Sequence, residues 1–75
     1  MSIPMSHMKP GGAAKVLEVN ATGVMRQRLS DLGLLPGTTV ERLMSSPIGD
    51  PACYRIRGAM IALRSADAAQ ISVAI

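Results

Sequence analysis

Large aromatic side chains are almost absent from this sequence. Its 75 residues include no Phe, no Trp and a single Tyr. A core must therefore be built from Leu, Ile, Val, Ala and Met, whose smaller volumes suit a narrow barrel or a thin layer of helix and sheet. Because a chain of this length has room for only one such core, we expect a single small domain.

Cysteine and long apolar runs are also scarce. Cys53 is the only cysteine, so it has no intramolecular disulfide partner, and the N-terminus shows no signal-peptide pattern; both observations favour a cytoplasmic protein. The apolar runs are only a few residues long, far below the ~20 that a membrane-spanning helix needs. We therefore predict no direct membrane insertion, and a place at the inner face of the membrane only through a partner.

Side chains that carry catalysis are few and scattered. The single histidine, His7, is far in sequence from Cys53, so no pairing of nucleophile and base is indicated. The five acidic residues show no paired spacing, and no glycine-rich loop runs into Lys-Ser or Lys-Thr. We predict that the chain is not an enzyme and that it holds no cofactor.

Metal-ligating residues do not show the spacing of a metal site. The sequence has no Cys-x-x-Cys pair, no His-x-x-x-His pair and no carboxylate-rich loop. We predict no metal site, and His7 and Cys53 stay as the candidate ligands of an alternative hypothesis, a metal-sensing or iron-delivering module.

Basic residues exceed acidic residues by eight to five, which gives a net charge of +3. They are spread singly along the chain, and the aromatic residues on which single-stranded nucleic acid stacks are missing. We therefore predict no nucleic-acid binding, and keep a basic nucleic-acid-binding barrel as a second alternative.

The N-terminal segment shows no hydrophobic periodicity. It runs into Pro10-Gly11-Gly12, which is typical of a turn. The pattern predicts a flexible tail over residues 1–9, followed by one domain over residues 10–75.

A strand and a short helix follow. The strand is predicted from Ala14 to Val19. Met25, Leu29 and Leu32, spaced by four and three, indicate an amphipathic helix, with Thr22 as its N-cap. The Schellman-type end of this helix is the clearest local signal, because Gly33 can adopt the left-handed conformation and Pro36 stops continuation.

Short strands dominate the rest of the chain. The irregular apolar spacing from Thr38 to Ser45 indicates a bulge or bend, and alternation on both sides of Gly58 indicates a hairpin. Ser65 is predicted to cap a single helical turn, and a last strand is predicted over residues 71–75. The predicted fold is mostly β, a small barrel with one short helix after the first strand and one helical turn before the last.

Three motifs occur together in a characteristic order. They are the segment from Arg28 to Val40, the segment from Ser46 to Pro51, and the run from Arg57-Gly58 to Arg64. With these motifs the chain resembles the FeoA family of bacterial ferrous iron transport from about Pro10 to Val73. The resemblance implies an SH3-like β-barrel that serves as a cytoplasmic accessory to FeoB, the membrane ferrous-iron permease with a GTP-binding domain.

Most positions that match the family are typical of turns rather than of chemistry. The structural turn residues are Gly33, Pro36, Gly37, Gly49, Asp50, Pro51 and Gly58. Asp50 is expected to hydrogen-bond the backbone of its own loop.

The leading hypothesis is that the domain binds the permease and modulates its GTPase cycle or its assembly. The expected contact surface is the helix with the adjacent loop, since loops and grooves carry recognition on such scaffolds. The candidate contact residues are Met25, Arg26, Arg28 and Ile48. No oligomeric state is predicted.

Overall fold

Short strands account for most of the regular structure. The computed structural model describes residues 1–44 and 50–75, and within them six strands and two helices form. The strands are β1 (Ser2–Pro4), β2 (Ala13–Val19), β3 (Thr39–Arg42), β4 (Ala52–Ile56), β5 (Ala59–Leu63) and β6 (Ile71–Ala74). The helices are α1 (Gly23–Asp31) and the single turn α2 (Ser65–Ala68), and a 3-10 turn spans Met5–His7. The predicted helix and helical turn are confirmed.

The six strands form one antiparallel sheet in the order β1-β6-β2-β3-β4-β5. Within the described residues β1 and β5 do not pair with each other, so the sheet stays open and its closure into a barrel is not confirmed. Neither helix in the part of the chain that the structure describes has the length and apolar character that crossing a bilayer demands.

The irregular position in the sheet is in β2 rather than in the segment after Pro36. The pairing of β2 with β6 shifts between Val16 and Glu18. By contrast, β3 pairs with β4 in an unbroken register from Val40 to Arg42. The bulge predicted between residues 38 and 45 is therefore not found in the described part of that segment. Leu17 lies at the shift and is 45% exposed. The sequence did carry a signal, because the apolar positions change from Ala14 and Val16 to Leu17 and Val19 at this point.

The N-terminal segment is part of the fold, and its prediction as a flexible tail outside the domain is wrong. Strand β1 pairs with β6, with Ile3 opposite Val73. After it, the 3-10 turn carries Met5, whose side chain is 0% exposed, and Met8 is also buried. A core without Phe or Trp leaves volume to fill, and two unbranched methionine side chains fill it.

The end of α1 forms as predicted. The Leu34 N–H donates to the Leu29 carbonyl at 3.0 Å, and the Gly33 N–H donates to the Ser30 carbonyl at 2.9 Å. These two bonds define a Schellman motif, with Gly33 at a φ of 96°. Thr22 is the N-cap residue as predicted, but its side chain forms no capping hydrogen bond. Leu29 and Leu34 are both buried in the core.

The turn that follows positions α1 against the sheet. The Thr38 N–H donates to the Leu35 carbonyl at 3.0 Å, and Gly37 has a φ of 91°. Together with Pro36 these features define a type II turn. The Gly37 N–H donates to the Val16 carbonyl of β2 at 2.7 Å, so the turn is held onto the sheet at the point where the register shifts.

Strands β4 and β5 form the predicted hairpin. Ile56 lies opposite Ala59, which leaves Arg57 and Gly58 as a two-residue turn. Their φ angles are 51° and 83°, and positive values at both positions define the type I′ turn that suits the twist of a hairpin.

Tyr54, the largest side chain in the core, lies beneath the N-terminal segment. Its ring is buried, and its hydroxyl donates to the Met5 carbonyl at 3.4 Å. Burial raises the pKa of the Tyr54 hydroxyl above its ordinary value, and the nearby Arg42 guanidinium opposes that shift. Arg42 also donates to the Met8 carbonyl at 2.6 Å, so β3 and β4 both hold the N-terminal segment in place.

The buried position of Met5 predicts a large loss of stability in Met5→Ala. We expect the free energy of unfolding to fall by about 2–5 kcal/mol, because truncation removes apolar contacts and leaves a cavity. Met44→Ala is the matched control, since Met44 is 79% exposed, and we expect a change within about 0.5 kcal/mol. Urea denaturation measures both values, and equal effects in the two variants would contradict the assignment of Met5 to the core.

The raised pKa of Tyr54 predicts a loss of stability at alkaline pH. Below the ordinary tyrosine pKa of about 10, the hydroxyl is neutral in both the folded and the unfolded protein, so its effect on stability is constant. Above it the unfolded protein ionises first, so the free energy of unfolding decreases until the folded pKa is passed.

Denaturation over a pH series in the native protein and in Tyr54→Phe isolates this contribution, because the two proteins differ only in the Tyr54 hydroxyl. Near-ultraviolet absorbance follows the ionisation directly, since the chain has one Tyr and no Trp. An unchanged difference between the two proteins across the alkaline range would contradict the prediction.

Candidate functional site

Helix α1 presents two different faces. Leu29 is buried in the core, and Met25 is half-buried and packs against that core. Since these residues are four positions apart, they lie on the same side of the helix and attach it to the sheet. The opposite side is therefore free to face solvent.

A row of side chains follows the exposed side of α1. These residues are Val24, Gln27, Arg28 and Asp31, and we call them the α1 stripe. Their spacing of three and four places them on one helix face. Gln27 donates a hydrogen bond to the Asp31 carboxylate at 2.9 Å, which orders the C-terminal end of the stripe.

An apolar residue lies at the other end of the stripe. Val24 is 79% exposed, so an apolar side chain of the helix faces solvent at this end. The α1 stripe thus combines an apolar contact, a cation, an amide and a carboxylate, which together suit recognition of a protein surface.

The two arginines of α1 have different environments. Arg26 Nη1 donates to the Val19 carbonyl at 2.7 Å, so its guanidinium links the helix to the end of β2. Arg28 is exposed on the α1 stripe. Only Arg28 is therefore presented to a partner without a cost to the fold.

The three predicted contact residues that the structure describes have different environments. Met25 packs inward, Arg26 is bonded to β2, and Arg28 belongs to the α1 stripe. Ile48 lies outside the described residues. Val24 was not among the residues selected from the sequence. A signal was present, since Val24 does not fit the repeat formed by Met25 and Leu29 and is therefore expected to face solvent.

The turn residues fall at turns where the structure describes them. Gly33, Gly37 and Gly58 all have positive φ, and Pro36 is part of the type II turn. An added Cβ at Gly33 would lie 2.9 Å from Arg57 Cδ, so the end of α1 and the hairpin turn approach each other closely. Gly49 lies outside the described residues.

Asp50 accepts hydrogen bonds from a distant part of the chain, at the start of α2, whose N-cap is Arg64 rather than the predicted Ser65. Its carboxylate accepts a hydrogen bond from the Ser65 N–H at 2.9 Å and another from the Ser65 hydroxyl at 3.4 Å. Asp50 thereby supplies the acceptor at the first residue of α2, where backbone N–H groups have no intrahelical partner. Pro51 follows through a cis peptide bond and leads into β4.

His7 and Cys53 lie on different elements. His7 is exposed on the 3-10 turn, beside a pocket that is also lined by Lys9 and Ile75. Cys53 is a half-buried free thiol on β4, opposite Ala62 of β5. Within residues 1–44 and 50–75, no group of three His, Cys, Asp or Glu side chains lies close enough to hold a metal ion.

These features define the structural class of the chain. The chain is a small, mostly β domain, in which one helix packs its apolar side on an antiparallel sheet and exposes the opposite side. It belongs to the FeoA family, because the model of the FeoA domain matches residues 3–75. The match includes β1 and the 3-10 turn, in agreement with their place in the fold.

One curated relative joins a FeoA segment to a transporter. It is the Fe(2+) transport protein A/Fe(2+) transporter FeoB fusion protein of Porphyromonas gingivalis, 35% identical to this chain over 69 residues. The alignment covers 92% of this chain and 8% of the fusion protein. The chain thus spans under a tenth of that relative.

Solved structures of FeoA proteins have the same fold. FeoA of Chlorobium tepidum aligns with a TM-score of 0.89 and 36% identity, over 97% of this chain and 70% of that chain. FeoA of Stenotrophomonas maltophilia in complex with zinc, described as an SH3 domain protein, aligns with a TM-score of 0.83 and 26% identity, over 99% and 89%. The SH3-like character of the fold is therefore confirmed.

The different environments of the two arginines predict different effects on stability. Arg26→Gln removes the hydrogen bond to the Val19 carbonyl, so we expect the free energy of unfolding to fall by about 0.5–1.5 kcal/mol. Arg28→Gln makes the same change of charge on an exposed side chain, and we expect a change within about 0.5 kcal/mol. Thermal unfolding of both variants measures the difference, and a larger loss in Arg28→Gln would contradict it.

Proposed function

We propose that this chain is a cytoplasmic accessory protein of bacterial ferrous iron uptake that binds a FeoB-type permease. The observation that carries the proposal is the relative in which a FeoA segment and a FeoB transporter are one polypeptide. In the proposal, binding modulates the GTPase cycle of the permease or its assembly.

Covalent fusion keeps two domains at a high effective concentration, so even a weak contact between them is occupied. A separate chain must reach the same occupancy through its own contact surface. The exposed face of α1 supplies such a surface, because its side chains are not needed to hold the core together.

The α1 stripe supports this role through its composition. Val24 offers an apolar contact that water leaves on binding, while Arg28 and Asp31 offer charges that fix orientation. Interfaces between separately folded proteins combine apolar and polar contacts in this way. Met25 and Arg26 fix the position of the stripe, because Met25 packs against the core and Arg26 bonds to β2.

The zinc complex of the Stenotrophomonas maltophilia protein raises the alternative of a metal-delivering module. In the described part of this chain, however, His7 and Cys53 are not joined by further ligands into a cluster. Docking through a surface is therefore the function that the geometry supports best. Stoichiometric Fe²⁺ binding that is lost in both His7→Ala and Cys53→Ser would favour the alternative instead.

The proposal predicts that changes in the α1 stripe weaken co-purification with the permease. The double variant Val24→Asp and Arg28→Glu removes the apolar contact and reverses the charge, and we expect at least a tenfold loss of retained permease, about 1.4 kcal/mol or more. The measurement is a pull-down from cells that express the permease, with and without a GTP analogue.

Lys15→Glu is the matched control, since it reverses one charge at an exposed position of β2. We expect this control to retain the permease as the native chain does. Unfolding curves of all variants exclude a loss through misfolding. Undiminished retention by the folded double variant would remove the α1 stripe as the contact, and no retention by the native chain would remove the permease as the partner.

A further inference from the structure

The two ends of the sheet differ in how they are protected. Strand β1 is three residues long and contains Pro4, and both properties hinder the addition of a further strand. Strand β5 has five residues, Ala59–Leu63, with neither proline nor charge among them. Within the described residues it pairs only with β4. The edge of β5 is therefore open to another strand.

The register of the hairpin identifies which backbone groups point outward. A two-residue turn closes with a hydrogen-bonded pair, here Ile56 and Ala59, and such pairs alternate along an antiparallel ladder. Ala59, Ile61 and Leu63 therefore bond to β4. The N–H and C=O groups of Met60 and Ala62 point away from β4, so they can bond to an added strand.

The side chains of β5 suit an apolar neighbour. Met60 is 71% exposed, and Ala62 on the same face is also exposed. On the other face Ile61 is half-buried and packs against the core. An added strand with apolar residues at alternate positions would extend the contacts of Ile61 beyond the present edge.

Positive charges flank this edge. Arg57 precedes β5 in the hairpin turn and Arg64 follows it, and both are exposed. In the described ranges the ion pair found is that of Arg55 with Glu41, at 3.8 Å. The Asp50 carboxylate near Arg64 accepts hydrogen bonds from Ser65. The two ends of β5 therefore favour acidic residues on a partner.

The same charges argue against a second copy of this chain as the occupant. Pairing β5 with β5 would bring four arginines to one seam, in a chain that already carries a net charge of +3. Opposite charges across an interface favour association, while like charges oppose it. An acidic partner meets no such repulsion.

We propose that the edge of β5 binds an extended segment of another protein by strand addition. The segment has apolar residues at alternate positions and an acidic residue at each end. Backbone hydrogen bonds to Met60 and Ala62 supply affinity, and Arg57 and Arg64 select the charge. This surface is distinct from the α1 stripe, so the proposal stands or falls independently of the permease.

The probe is the synthetic peptide Glu-Val-Thr-Val-Thr-Val-Glu with blocked ends, added to the full chain labelled with nitrogen-15. We expect the amide signals of Met60 and Ala62 to shift and their hydrogen exchange to slow, because their N–H groups become bonded. The amides of Ala59, Ile61 and Leu63, which already bond to β4, serve as internal controls and change less.

Two altered peptides separate the contributions. N-methylation at alternate positions removes the N–H groups that would face β5, and we expect binding to be lost. Replacing both Glu by Lys turns attraction into repulsion at both ends, and we expect binding to weaken at least about tenfold. Arg64→Glu weakens binding of the original peptide, whereas Lys15→Glu on β2 leaves it unchanged.

Three results would overturn the proposal. The first is no shift of the Met60 and Ala62 amides at millimolar peptide, and the second is equal binding of the Lys peptide. The third is protection of the same amides that rises with protein concentration in the absence of peptide, since this would make a second copy the occupant.

Discussion

The packing of the N-terminal segment over Tyr54 is the contact on which the rest of the molecule depends. A chain without Phe or Trp has little large apolar surface to bury, so each sizeable side chain is needed. Met5 and Met8 supply part of that surface, and β1 holds them by pairing with β6. The Tyr54 hydroxyl and the Arg42 guanidinium then satisfy carbonyl groups in the same segment. Apolar burial and polar satisfaction therefore depend on the same few residues.

Helix α1 packs one side against the core and exposes the other. Met25 and Leu29 fix α1 on the sheet, and the Schellman end and the following turn fix its direction. The side chains on the opposite face of the helix are exposed and do not belong to the core. At Gly33 the end of α1 comes close to Arg57 of the β4-β5 turn, where a Cβ would lie 2.9 Å from the arginine stem. The exposed helix face and the open sheet edge are thus both attached to one scaffold.

Local patterns predicted the elements well and the surface less well. Of the predicted apolar repeat in α1, Met25 and Leu29 face the core, whereas Leu32, the C-cap residue, is 37% exposed. Gly33 with Pro36 located the end of the helix, because that signal depends on neighbours within a few residues. The distinction between Arg26 and Arg28 was not available from the sequence. Two arginines separated by two positions look alike until a carbonyl from β2 comes within hydrogen-bond distance of one of them. Val24 was open to prediction, since its position departs from the apolar repeat of the helix.

The sequence by itself determined the helix and its stop, the hairpin around Gly58 and the membership in the FeoA family, since each rests on short-range spacing or on ordered motifs. Only the tertiary structure decided that the N-terminal residues belong to the core, that Asp50 serves Ser65 fifteen positions away, and that β5 is an open edge. The reason is physical: burial, distant hydrogen bonds and strand order depend on which segments meet in space, and a pattern of neighbouring residues does not encode that meeting.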